Sequence, residues 1–253
     1  VIKCCAEYPL RKHLPSKKWM KNMIEEPKLL RIVKDVTRPS LRQLKALENV
    51  PTSVANDAMW GRGAFAKKIK HVDPTGPMSS NVVGPALTVN SGPGDILALL
   101  AALKFIASGD IVVSSFANYQ GCAAAGDRLA GMMKNCGAAA FVTDGPMRDL
   151  VGLNKVGLPS WCTGLTPASP MSKGPGSVGF PINISGLEVL SGDIIIADLD
   201  GVIVIPLQEA DEVINRCHEI LDLEQNLDEK VVDGLKVPEE IERLLSSDNV
   251  EYF

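Results

Sequence analysis

Two pairs of residues concentrate the chemistry of this chain, Gly126-Asp127 and Arg148-Asp149. Both lie in the segment Gly121 to Gly157, GCAAAGDRLAGMMKNCGAAAFVTDGPMRDLVGLNKVG, which opens on small residues, becomes helical in pattern, crosses a short apolar strand and turns at Asp144-Gly145-Pro146. A helix starting near Gly126 leaves the amides of Asp127, Arg128 and Leu129 without intrahelical acceptors, and with the helix dipole they favour an anion. The Arg148 guanidinium can grip a carboxylate through two parallel hydrogen bonds. Asp149 is a hard oxygen ligand suited to Mg2+ or Mn2+, which takes one or two protein carboxylates and keeps its waters. Together the pairs suit a small carboxylate beside a divalent metal. Taken alone, an Arg-Asp pair is usually a surface ion pair of little energetic consequence, so the spacing by itself leaves both readings open.

The surrounding pattern places both pairs at strand ends. A helix is predicted from about Ala124 to Cys136, closed by Gly137, then a strand Ala138 to Thr143, a short helix near Met147 to Asn154 and a strand Pro159 to Thr163. Upstream come a strand Val82 to Val89, a helix Ile96 to Ala107 with Asp95 as its N-cap, and a strand Ile111 to Ser115. Such alternation with short connections argues for right-handed crossovers and a locally parallel sheet, whose ligands gather at the carboxyl ends of the strands. Gly84-Pro85 predicts an edge or bulge within its strand. Two short helices around Pro39 are expected between Leu29 and Leu47, and Thr52 or Ser53 as the cap of a helix through Ala58. Beyond the focal segment, Ile182 to Val189 reads as a strand with a turn. IIIADLDGVIVIP reads as a hairpin about Asp200-Gly201. Gln208 to Gln225 reads as an amphipathic helix, with a last helix after Pro238 and an acidic tail.

Bulk properties narrow the function classes. The 253 residues, 45% hydrophobic and 22% charged, suit one good-sized domain with an extension. A formal charge of -4 argues against nucleic acid as the main ligand, and no apolar run is long enough for a membrane helix. The cysteines lack CxxC spacing and are expected to be reduced packing residues of a cytoplasmic protein; the three histidines are too scattered for zinc. No signal peptide is expected. Residues 1 to 30 are basic (Lys3, Arg11, Lys12, Lys17, Lys18, Lys21) and read as a solvated extension or an oligomer-packing arm before an anion-binding one. Gly174 to Gly179 matches GxGxxG, but FPINIS after it cannot open the helix that a nucleotide fingerprint needs. GxxxxGK[ST], HExxH and GxSxG are absent.

Gly126-Asp127-Arg128-Leu129, the Asp144-Gly145 turn, Arg148-Asp149 and GDIIIADLDGVIVIP, in this order and spacing, resemble the RraA-like family. That family includes the regulator of ribonuclease E activity and the divalent-metal 4-hydroxy-4-methyl-2-oxoglutarate aldolases. The resemblance implies an α/β fold, a swivelling α/β/β/α domain over residues 41–234, with an N-terminal helical arm over 1–40 and a C-terminal helix and acidic tail over 235–253. It implies that Gly126, the amides of Asp127, Arg128 and Leu129, and the Arg148 side chain hold the pyruvate moiety of a 2-oxo acid. Asp149 would hold Mg2+ or Mn2+, partly through water. An acid from a neighbouring subunit's C-terminal helix would join it, with Glu224 the best match and Glu219 close behind, so a homotrimer or a dimer of trimers is implied. Loops 61–80 and 164–181 would read the far end of the substrate.

One position departs from the aldolase pattern: Gly152 stands where the pattern has an acid three residues after the Arg-Asp pair. Aldol cleavage must remove the C4 hydroxyl proton, whereas oxaloacetate decarboxylation needs no such base. The regulators lack the Asp at the position of Asp149, so its presence here points to an enzyme.

Overall fold

Along β4 (Ile111–Ser115) and β5 (Ala140–Thr143) every side chain is buried. Successive side chains of a strand take opposite faces, so two cores must flank such a sheet. The computed structural model describes residues 28–253 and shows both. Preceding these strands are β1 (Leu30–Ile32), α1 (Leu41–Ala46), α2 (Thr52–Ala58), β2 (Lys70–His71), β3 (Val82–Asn90) and α3 (Leu97–Ala102). Between and after them come α4 (Asp127–Asn135), α5 (Leu150–Val156), β6 (Ser160–Cys162), β7 (Gly176–Val178), β8 (Ile182–Ile184), β9 (Leu187–Val189), β10 (Ile194–Ala197) and β11 (Val202–Ile205). The long α6 (Ala210–Val232) and α7 (Glu239–Leu245) end the chain.

Strands β3, β4, β5 and β6 pair in parallel, as the strand-helix alternation requires. Val112 and Phe141 point to a core shared with Leu99 of α3, Met133 of α4 and Leu153 of α5. Ile111, Val113, Ala140 and Val142 point the other way, onto Ile184, Val189, Ile195 and Val204. The β10–β11 hairpin then uses its own alternation: Ile194, Ile196, Ile203 and Ile205 face a third core with Val54 of α2 and Val213 and Cys217 of α6. The result is helices, sheet, sheet, helices, the α/β/β/α order that the resemblance implies.

Several local expectations need correction. The first of the two helices expected around Pro39 is instead β1, which pairs in parallel with β7, Leu30 opposite Gly176 and Ile32 opposite Val178. A short apolar run has no period long enough to favour a helix, and a free sheet edge captured it. The second is a helix, α1, held by a capping box between Ser40 and Gln43. β3 runs nine residues, and the edge expected at Gly84-Pro85 is present: Val82–Pro85 pairs only with β10, and β4 joins from Ala86. Ala86 N donates to Asp193 O on β10's side, so alternation turns the Pro85 nitrogen to the opposite side, and β4 pairs there only from Ala86 onward. Gly84 is required because a Cβ there would strike Gly109 O. α2 begins at Thr52, and its cap comes from afar. Asp198 accepts from Thr52 N (2.8 Å) and Thr52 Oγ1 (2.7 Å), and from Asp200 N (2.9 Å) in the hairpin turn. α3 ends at Ala102, earlier than Ala107, and α6 runs on to Val232.

The hairpin β8–β9 and the helix after Pro238 stand as read. Among the described residues the cysteines (Cys122, Cys136, Cys162, Cys217) are free, and no helix is long and apolar enough to cross a membrane. GxGxxG (174–179) contains β7, and β8 rather than a helix follows it. The basic residues Lys3 to Lys21 lie outside the described residues.

Candidate functional site

Both residue pairs fall beyond the carboxyl ends of the parallel strands. After β4 the chain crosses a loop whose Ala117 and Asn118 are both left-handed (φ 55°). Asp144, at the end of β5, fixes this loop by accepting from Phe116 N and Asn118 N. Burial pushes the Asp144 carboxyl above the ordinary range, and those two amides pull part of the way back. Gly145 packs on Phe116, where a Cβ would lie 2.6 Å from Phe116 Cδ1.

The loop then meets the segment after β5. Ala124 N donates to Pro146 O (2.7 Å) and Arg148 N to Ala125 O (3.1 Å), while Met147 N donates to Gly164 O (2.8 Å). This three-stranded lacing sets Gly126, at the start of α4, directly against Arg148 and Asp149. Gly126 is extended (φ -130°, ψ -172°) and gives no side-chain cap, so the first-turn amides of Asp127, Arg128 and Leu129 keep open donors. A Cβ on Gly126 would lie 2.6 Å from Asp149 Oδ2 and 3.0 Å from Arg148 Cγ. Only glycine lets the guanidinium and the carboxylate close over the helix start.

Arg148 Nε lies 3.4 Å from Asp149 Oδ2, and its Nη1 donates to Ser169 Oγ. The guanidinium is thereby aimed, with donors left for a ligand. Asp149 caps α5 in the left-handed region (φ 65°, ψ 45°) and makes no capping bond of its own. Aspartate tolerates that conformation better than most residues, and non-glycine residues held there concentrate at functional sites.

These groups line one cleft of about 510 Å³ that includes Gly126, Asp127, Arg128, Leu129, Arg148 and Asp149. The structure thus brings together every single-chain site residue read from the sequence. It does not bring Glu224 or Glu219 there: both are exposed on α6 and line no part of their own chain's cleft. Loop 164–181 contributes Pro170, while no residue of 61–80 lines the cleft.

Sequence reasoning used only the backbone amide of Asp127 and missed its side chain. The Asp127 carboxylate lies on Gly152 of α5: a Cβ there would stand 2.6 Å from Asp127 Cβ and 2.7 Å from Cγ, and overlap Oδ2. The volume that a side chain at 152 would take is filled by an acid from α4. An acid in the first turn of a helix was the available signal, but nothing in the spacing tells which neighbouring helix it touches. Asp127 and Asp149 both line the cleft, and among the described residues no cluster of three His, Cys, Asp or Glu could hold a metal ion. The half-exposed Asp149 carboxylate, a single hard oxygen donor on an open wall, fits Mg2+ or Mn2+ that keeps its waters and does not fit a structural zinc site.

The RraA-like family model, described as Aldolase/RraA, matches residues 52–204. "Putative 4-hydroxy-4-methyl-2-oxoglutarate aldolase" of Halalkalibacterium halodurans is 36% identical over 169 residues, 66% of this chain and 78% of that protein. Streptomyces coelicolor RraAS2, described as an unusual member of the RNase ES inhibitor RraA protein family, is 27% identical, with a TM-score of 0.67 over 76% of this chain and 100% of its own. A crystal structure of an uncharacterized Pseudomonas syringae pv. tomato protein gives a TM-score of 0.68 at 25% identity, over 79% of this chain and 96% of that one. With the family model spanning more than half of the chain and the α/β/β/α layers in place, this protein belongs to the RraA-like family.

Proposed function

We propose that the chain is a divalent-metal-dependent carbon–carbon lyase that releases pyruvate from a carboxylated 2-oxo acid, by retro-aldol cleavage or by decarboxylation of oxaloacetate. The observation that carries this reading is the closure of Arg148 and Asp149 over Gly126 at the open start of α4. The Arg148 guanidinium and the amides of Asp127 to Leu129 bind the 1-carboxylate from two directions, which fixes the 2-oxo group toward Asp149. Asp149 holds Mg2+ or Mn2+, which when bound polarises the 2-oxo group and stabilises the charge that develops as the C–C bond breaks. Asp127, seated over Gly152, provides a carboxylate to accept the C4 hydroxyl proton in the aldol direction. Aldol cleavage accordingly does not require an acid at position 152 itself.

Glu224, or else Glu219, would complete the site from α6 of a neighbouring copy in a trimer or a dimer of trimers. Similarity to RraAS2 favours one alternative, a non-catalytic regulatory or binding protein that retains the scaffold. Pyruvate release from oxaloacetate and from 4-hydroxy-4-methyl-2-oxoglutarate, assayed with Mg2+ and with chelator, separates the two. Metal-dependent release from either substrate supports the lyase, and none from both leaves the regulator. Glu224→Gln and Glu219→Gln, compared in the same assay with sedimentation to check assembly, identify the acid supplied in trans.

A further inference from the structure

The cleft has a second end that the pyruvate grip does not use. Besides Arg148 and Asp149, its wall includes Ile96 and Leu100 from the α3 region, Met132 of α4, and Pro170. Met132 is 40% exposed, and Ile96, Leu100 and Pro170 are part-buried: Ile96 and Leu100 pack one side on the core and leave the rest of their apolar surface in the cleft. The wall is built rigidly. Asp95 is buried and accepts from Leu97 N (2.8 Å) and Lys173 N (2.6 Å), while Ile96 N donates to Met171 O (2.8 Å) and Met171 N to Gly94 O (2.8 Å). These bonds tie the start of α3 to the loop carrying Pro170. Through Ser169, which accepts from Arg148, the same loop also braces the guanidinium, so the two ends of the cleft are held in one frame.

Resting on the lyase reading of the polar end, we infer that the apolar end is a subsite for an alkyl or aryl group attached at or beyond C4 of the 2-oxo acid. The spacing fits. Met132 lies four residues along α4 from Arg128, and at a rise of about 1.5 Å per residue this is about 6 Å. An extended carbon chain whose C1 carboxylate sits on the first-turn amides reaches that distance at C5 or C6. Arg128, exposed and one turn before Met132 on α4, offers a second carboxylate of the substrate a donor, whereas Ile96, Leu100 and Pro170 offer none and would only strip its hydration. An apolar chain would instead gain about fourfold in affinity for each methylene buried.

Calorimetric titration of the full chain, in saturating Mg2+, with pyruvate, 2-oxobutanoate and 2-oxohexanoate tests the subsite without turnover. Affinity is expected to rise along the series by about fourfold per buried methylene. In Met132→Gln and Leu100→Asn the rise should flatten while pyruvate affinity stays within twofold of wild type. Equal affinities along the wild-type series, with pyruvate bound, would overturn the subsite and leave the lyase reading intact. A rise that survives in both variants would also overturn this placement. Failure of pyruvate itself to bind would overturn the reading of the polar end and the subsite with it. Circular dichroism of each variant confirms that the comparison is between folded proteins.

Discussion

Gly126→Ala is the smallest change that separates the site from the fold. The backbone at 126 is extended, a conformation alanine adopts freely, and glycine contributes no capping side chain there, so stability should fall by only about 0.5 kcal/mol. The added methyl, however, would stand 2.6 Å from Asp149 Oδ2 and 3.2 Å from Arg148 Nε. Ordinary C···O contacts begin near about 3.3 Å, so the Asp149 carboxylate must retreat by about 0.7 Å, and the guanidinium must turn with it. A displacement of about 1 Å in groups that position a reacting substrate costs about 100-fold in rate, equivalent to about 2.7 kcal/mol of transition-state stabilisation. The expected result is a kcat/KM for Mg2+-dependent pyruvate release lowered by about two orders of magnitude, in a protein whose thermal midpoint is nearly unchanged. A variant within threefold of wild type would refute the placement of Arg148 and Asp149 in the reaction.

Gly152→Ala should also lower activity, by about tenfold or more, because its methyl collides with the Asp127 carboxylate and moves it. The larger Gly152→Asp should not restore an acid usefully, since Asp127 already fills that volume; side-by-side aldol and decarboxylase assays check this, with aldol cleavage the more affected. Asp110→Ala should destabilise the chain by about 3 kcal/mol in urea melts. Asp110 is wholly buried, pairs with Arg38 Nε and Nη2 at 2.8 Å each, and accepts from Ala107 N. The Asp144 and Asp193 carboxyls, pushed up first by burial, should titrate above the ordinary aspartate range by carbonyl-detected NMR. Their folded pKa values exceed the unfolded ones. The stability linked to them is therefore fully present below the unfolded pKa and is lost as pH rises through the folded pKa.

Much of the frame was legible because it is local and periodic. The β10–β11 hairpin announced itself by two β-branched runs about a turn, and the β4-α4-β5-α5-β6 succession by the switch between strand and helix periods. What escaped depends on partners distant in sequence. β1 is a strand because β7 offers it an edge, and α2 is capped by Asp198 rather than by its own first residues. In the site, Gly126, Arg148 and Asp149 were readable as residue types at known spacing. The Asp127 side chain was not, since its contact with Gly152 joins two helices whose packing no spacing rule supplies. The apolar wall of Ile96, Leu100, Met132 and Pro170 was hidden for the same reason.

One titration tests the proposed metal-dependent lyase centred on Asp149 and Arg148 more directly than any other. Pyruvate release from oxaloacetate by the metal-stripped protein should be absent, should return in a saturable manner with Mg2+ or Mn2+, and should remain absent in Asp149→Ala at metal concentrations that saturate the wild type. Release that is indifferent to chelator, or that Asp149→Ala carries out at the wild-type rate with the wild-type metal dependence, would contradict the account.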